Sequence, residues 1–144
     1  MRTGLRLYIY KGVPAWAAKE IKRTMPLLKN VVEVSHWLPV RLVPAPTVSV
    51  IEDQQCGFGV FVAFGDERPQ ICLAGNLRGY MKDYNLDRRD VAWWIVENLV
   101  HELVHYEQWR DGRVGSHRGV DRRVRKIMLG LGMVPAEYIR KDAK

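Results

Sequence analysis

Apolar residues recur along this chain with two periods, and the switches between them mark out its elements. Leu5 to Tyr10 is an apolar run read as a first strand, placed at Arg6–Tyr10. From about Pro14 the spacing turns helical. Ala17, Ile21 and Met25 or Leu28 share one face, and proline stands in the first turn, where its missing N–H is tolerated. Pro26 is expected to stop or kink that helix. An irregular stretch with Pro39, Pro44 and Pro46 follows. Alternation resumes at Thr47–Val50 as an edge-like strand, and Gly59–Phe64 with Gln70–Ala74 reads as a hairpin. A long helix begins after Asp87, with Asp87 or Asp90 as its cap. Its stripe of Val91, Ile95, Leu99 and Leu103, widened by Trp94, Val100 and Val104, predicts a mostly buried helix. Asp111-Gly112 stops it, and a last helix from about Gly119 to Leu131 turns Val120, Val124, Ile127, Met128 and Leu131 inward. Sheet and helices are segregated along the chain, which predicts an α+β fold in one domain spanning residues 1–144.

Set inside the long helix is the run His101-Glu102-Leu103-Val104-His105. Imidazoles four residues apart stand one turn above the other on the same helix face, so both reach one metal ion. Polar residues on a buried helix need partners, and a metal supplies them. Glu102 adjoins the first ligand. A zinc ion in such a site lowers the pKa of its water from about 15.7 to about 7, and a neighbouring carboxylate can then take the proton. This is the constellation of a zinc hydrolase, most simply a metallopeptidase.

Catalytic zinc takes three protein ligands and keeps a fourth position open. His117 is the best third ligand, because Asp111-Gly112 and Gly115 read as a helix stop and a turn that brings the chain back. Asp121, one turn beyond His117, is a rival, as are Glu107 and Glu137; Glu107 lies two residues from His105 and points away from the histidine face. Glu97, one turn before His101, is either a partner for a ligand ring N–H or a carboxylate paired elsewhere. Trp93, Trp94 and Trp109 read as core rather than as cleft walls.

The segment from His101 to Pro135 resembles the SprT-like metalloprotease family, which includes the Spartan proteases. The resemblance rests on His101-Glu-Leu-Val-His105, on Gly112-Arg-Val-Gly-Ser-His117-Arg-Gly119, and on Ile127-Met128 with Leu131-Gly132. Upstream, Ile71-Cys-Leu73-Ala-Gly-Asn-Leu77 resembles the strand and turn before that family's active-site helix. The resemblance covers roughly residues 70 to 135. It implies a zincin-like architecture with a small mixed or antiparallel sheet, zinc on His101, His105 and His117, and Glu102 as general base. Arg118 and Asp121 depart from the glycine and the aromatic residue usual at those places. With two Cys in total the chain carries no zinc ribbon of the kind many members have.

Composition narrows the setting. The chain has 144 residues, 47% of them hydrophobic, which is ample for one core. No stretch approaches the roughly 18 apolar residues of a membrane span, and the first apolar run is too short for a signal peptide. Cys56 and Cys72 lack metal-site spacing and are expected to be reduced thiols in a cytoplasmic protein. The formal charge of +7 is uneven: seven Lys or Arg between Arg110 and Lys126 face two Asp. That cluster is either a nucleic-acid contact near the metal or the solvated side of the last helix. The leading expectation is therefore a zinc endopeptidase acting on protein or peptide, on nucleic-acid-associated proteins where the cluster is used. The alternative is a nucleic-acid-associated module that keeps a metal and lacks proteolysis. A zinc hydrolase of non-protein amides would use the same ligands.

Overall fold

A computed structural model describes residues 3–49, 56–64, 68–113 and 117–133, with the backbone only at Ser49, Cys56, Phe64, His117 and Arg118. Strand β1 (Gly4–Ile9) leads into helix α1 (Ala15–Leu28), and β2 (Trp37–Val43) returns parallel to β1. A two-stranded antiparallel piece, β3 (Val48–Ser49) with β4 (Cys56–Gly57), stands apart from the main sheet. Strands β5 (Gly59–Phe64) and β6 (Arg68–Ala74) then pair antiparallel, and β6 also pairs parallel with β2. The main sheet is thus mixed, in the order β1-β2-β6-β5, with β5 at one edge. Three helices follow: α2 (Gly79–Asp83), α3 (Arg88–Arg110) and α4 (His117–Gly130). Mixed sheet plus helices is the α+β class expected. Among the described residues no helix is long and apolar enough to cross a membrane.

One face of the sheet carries the core. Leu5, Leu38, Val40, Leu42, Ile71 and Leu73 are buried at register-matched positions, and against them pack Ile21, Met25 and Leu28 of α1 and Ile95, Leu99 and Leu103 of α3. Helix α4 covers the far side of α3 through Val120, Val124, Ile127 and Met128, the inner face its spacing predicted; Leu131 is half-buried.

Two proline readings need correction. The stretch around Pro39 is not irregular but lies in the central strand β2. Backbone groups of even-numbered residues there face β1, since the Leu42 carbonyl accepts from the Tyr10 N–H, while odd-numbered ones face β6, since the Val43 carbonyl accepts from the Gly75 N–H. Pro39 therefore turns its missing donor toward β6, just before that ladder begins at Val40–Ile71. Pro69 of β6 sits at the same end of the same ladder, so neither proline leaves a broken bond. Of the two outcomes expected at Pro26, a stop or a kink, the stop does not occur: Pro26 lies inside α1, which runs on to Leu28, and the missing N–H forgoes one backbone bond.

Candidate metal centre

Helix α3 holds the site rigidly. Asp87 caps it, accepting from the Asp90 N–H at 2.8 Å, while the Asp90 carboxylate accepts from the Asp87 N–H at 3.1 Å; both acids named as alternatives act together in one capping box. The helix runs without a break to Arg110, and Gly112, at φ 67°, takes the left-handed turn that ends it. Fourteen residues past the cap, His101 and His105 project from one face. Their Nε2 atoms lie 3.1 Å apart with the rings nearly perpendicular. A Glu102 carboxylate oxygen stands 4.0 Å from His101 Nε2, and one ligand atom from each of the three residues falls within 4.8 Å of the others. This group could hold a metal ion.

The donor set fits zinc. Two nitrogens at about 2.0–2.1 Å from a tetrahedral ion are about 3.3 Å apart, close to the observed separation. His105 Nδ1 lies 3.3 Å from the Gln108 side-chain oxygen, so a proton on Nδ1 would find an acceptor there and leave Nε2 for a metal.

Glu102 has a different environment from the two half-buried imidazoles. It is 6% exposed and packs under strand β5. A Cβ on Gly59 would come within 3.1 Å of Glu102 Cγ, so a glycine there is what lets strand and helix approach so closely. Burial pushes the Glu102 carboxyl up to about 7, against the opposing pull of a hydrogen bond from the Phe61 backbone. Phe61 can give that bond because odd-numbered groups of β5 face away from β6: the Phe58 carbonyl, even-numbered, is the one that accepts from Ala74. The edge strand's spare N–H thus fastens the carboxylate.

The other expected site residues fare unevenly. His117 opens α4, but its side chain lies outside the described residues, as do Gly115 and Glu137. Asp121 is exposed and does not join the group. Glu107 is committed elsewhere, accepting from the Arg123 guanidinium at 3.2 Å and so clamping α3 to α4. Glu97 is half-buried and has partners of its own. Trp94 is core, while Trp93 and Trp109 are half-buried; Arg89 covers the Trp93 ring, and Trp109 packs on His36. The basic cluster is partly spent within the molecule. Arg110 bonds Asp111 and the Glu33 carbonyl, Arg113 bonds Asp111, and Arg123 bonds Glu107. Cys72 is a free thiol, and Cys56 lies among the side chains not described.

Three contributors were not read from the sequence. Gln108 was available as the i+3 neighbour of His105, and Gly59 as a glycine inside a strand, which signals close backbone approach. Phe61 acts through its backbone, which no side-chain pattern reports. No protein-family model matches the chain, and neither does any curated protein or solved structure.

Proposed function

We propose that this chain is a zinc-dependent metallopeptidase of the SprT-like kind, with a zincin-like arrangement of sheet edge and active-site helix. The observation that carries the reading is the meeting of His101 and His105 Nε2 beside a buried carboxylate on one unbroken helix. His101, His105 and, from the start of α4, His117 would hold the ion. Bound there, zinc supplies a Lewis acid for the scissile carbonyl and acidifies a water.

Glu102 is the proton carrier. It takes a proton from the attacking water as the new C–O bond forms, then gives it to the amine nitrogen as the C–N bond breaks. In the metal-free protein burial raises the Glu102 carboxyl to about 7, so the site itself favours its holding a proton. Among the described residues β5 is the sheet's edge strand beside Glu102, and an extended peptide pairing with the outward groups that Phe61 does not commit to Glu102 would lay its carbonyls along the site. On this reading the metal centre acts on protein or peptide chains.

Metal content by elemental analysis tests it, with wild type beside His117→Ala and Asp121→Ala. The expected result is about one zinc per wild-type chain, lost on changing His117 and kept on changing Asp121. Peptide cleavage should then vanish in Glu102→Gln while zinc is retained. Wild type without bound metal would overturn the proposal.

A further inference from the structure

The sheet has a second face, turned away from α1 and α3. By register it carries Arg6, Tyr8 and Tyr10 from β1 and the residue after it, Trp37 and Arg41 from β2, and Arg68 from β6. Every described residue of that face except Ala74 is partly or fully exposed, in contrast to the buried face behind it. Tyr8 and Tyr10 are 42% and 45% exposed, two aromatic side chains at adjacent same-face positions. Between them, Ile9 and Arg41 line a shallow concavity of about 550 Å³, within the range of small-ligand sites. Arg41 is held in place by Gln70, its register neighbour's flank on β6. Three arginines share the face, and no Asp or Glu lies on it among the described residues.

We propose that this open face binds single-stranded nucleic acid, with bases stacked on Tyr8 and Tyr10 and phosphates held by Arg6, Arg41 and Arg68. Same-face neighbours on a strand stand about 6.6 Å apart, so the two rings offer two stacking positions rather than one. Arginine beside an exposed aromatic on an uncovered sheet is the chemistry by which sheet platforms bind unpaired strands. A second copy of this chain is disfavoured as the occupant, because its own arginines would meet these. The α4 cluster is the weaker candidate surface, since Arg110, Arg113 and Arg123 already serve protein partners. The proposal needs neither zinc nor Glu102 and stands apart from the peptidase reading.

Fluorescence anisotropy with a labelled oligothymidylate at low salt tests it. Wild type should bind the single strand, and Tyr8→Ala/Tyr10→Ala should weaken binding roughly tenfold or more. Tyr8→Phe/Tyr10→Phe should retain it, and Arg6→Gln/Arg68→Gln should flatten its salt dependence. Arg122→Ala/Lys126→Ala on α4 should leave it unchanged. Circular dichroism melts confirm that each variant is folded; the tyrosines are surface residues whose loss the core tolerates. The proposal is overturned by no binding in wild type, by full affinity in the double alanine variant, by loss confined to the α4 variant, or by equal binding of duplex.

Discussion

Glu102 is costly for the metal-free fold, and its cost depends on pH. Its carboxyl holds a proton more tightly folded than unfolded, rising from an ordinary value of 4.5 to about 7. The stability this proton contributes is fully present below pH 4.5 and is lost as the pH climbs through about 7. The difference is on the order of 3 kcal/mol, a large share of a small domain's stability. Glu102→Gln cannot ionise and escapes the loss. Urea unfolding with chelator present should therefore show the glutamine variant gaining on wild type between pH 5 and pH 8 by about that amount. A gap constant with pH would mean that the carboxylate is solvated after all. Gly59 makes the companion case. An added methyl would press on Glu102 Cγ at 3.1 Å and Leu73 Cδ2 at 3.2 Å, so Gly59→Ala should cost about 1–3 kcal/mol. Because one of the two contacts is the proposed proton carrier, peptide cleavage should fall more steeply than stability, and zinc content should not fall at all.

Among the elements, α3 was the most legible and β2 the least, for opposite reasons. The helix announces itself three ways: an acid at each cap-box position, an apolar stripe over several turns, and Asp111-Gly112 at its end. All three agree, and the structure places cap and stop where they point. In β2 the alternation of Leu38, Val40 and Leu42 is present, but Pro39 stands within it and Pro44 follows, and proline argues against a central strand. What rescues the strand is the direction of one missing N–H relative to a ladder that begins one residue later, and this depends on a partner more than 30 residues away. Helix α2 is a single short turn with no periodicity to read. The cap offers a clean element-scale test. Asp87→Ala should cost about 1 kcal/mol of unfolding free energy, yet leave zinc affinity unchanged, because His101 lies about 21 Å further along the helix. Tyr106→Phe is its counterpart next to the proposed ligand His105. The buried Tyr106 hydroxyl joins α3 to the entry of β2, donating to or accepting from His36 Nδ1 at 2.7 Å and accepting from the Ser35 N–H at 3.1 Å. Removing it should cost about 0.5–1.5 kcal/mol by thermal or urea unfolding, the net worth of an ordinary hydrogen bond, because Ser35 is exposed and His36 half-buried and both can turn to water.

Over the whole molecule, the proposed metal centre would add a link between α3 and α4. Helix α3 is packed into the sheet core, whereas α4 is bound to α3 by four buried side chains and the Glu107–Arg123 pair. The proposed ligands come from the α3 face and from the start of α4. Zinc binding to the folded state alone stabilises it by about 4 kcal/mol at a thousandfold excess over Kd. With His117 as the proposed third ligand, that stabilisation should be felt locally, because opening α4 alone would release it, while β1, β2 and β6 are held by their own ladders and core. Hydrogen exchange with and without chelator should show this directly. Removing zinc should speed exchange across His117–Gly130 by tenfold or more, with a far smaller effect in β1 and β2, and His117→Ala should reproduce the chelated pattern even with zinc present. Uniform acceleration through sheet and helices would instead mean that the metal secures the fold globally, and that α4 contributes no ligand whose loss can be felt alone.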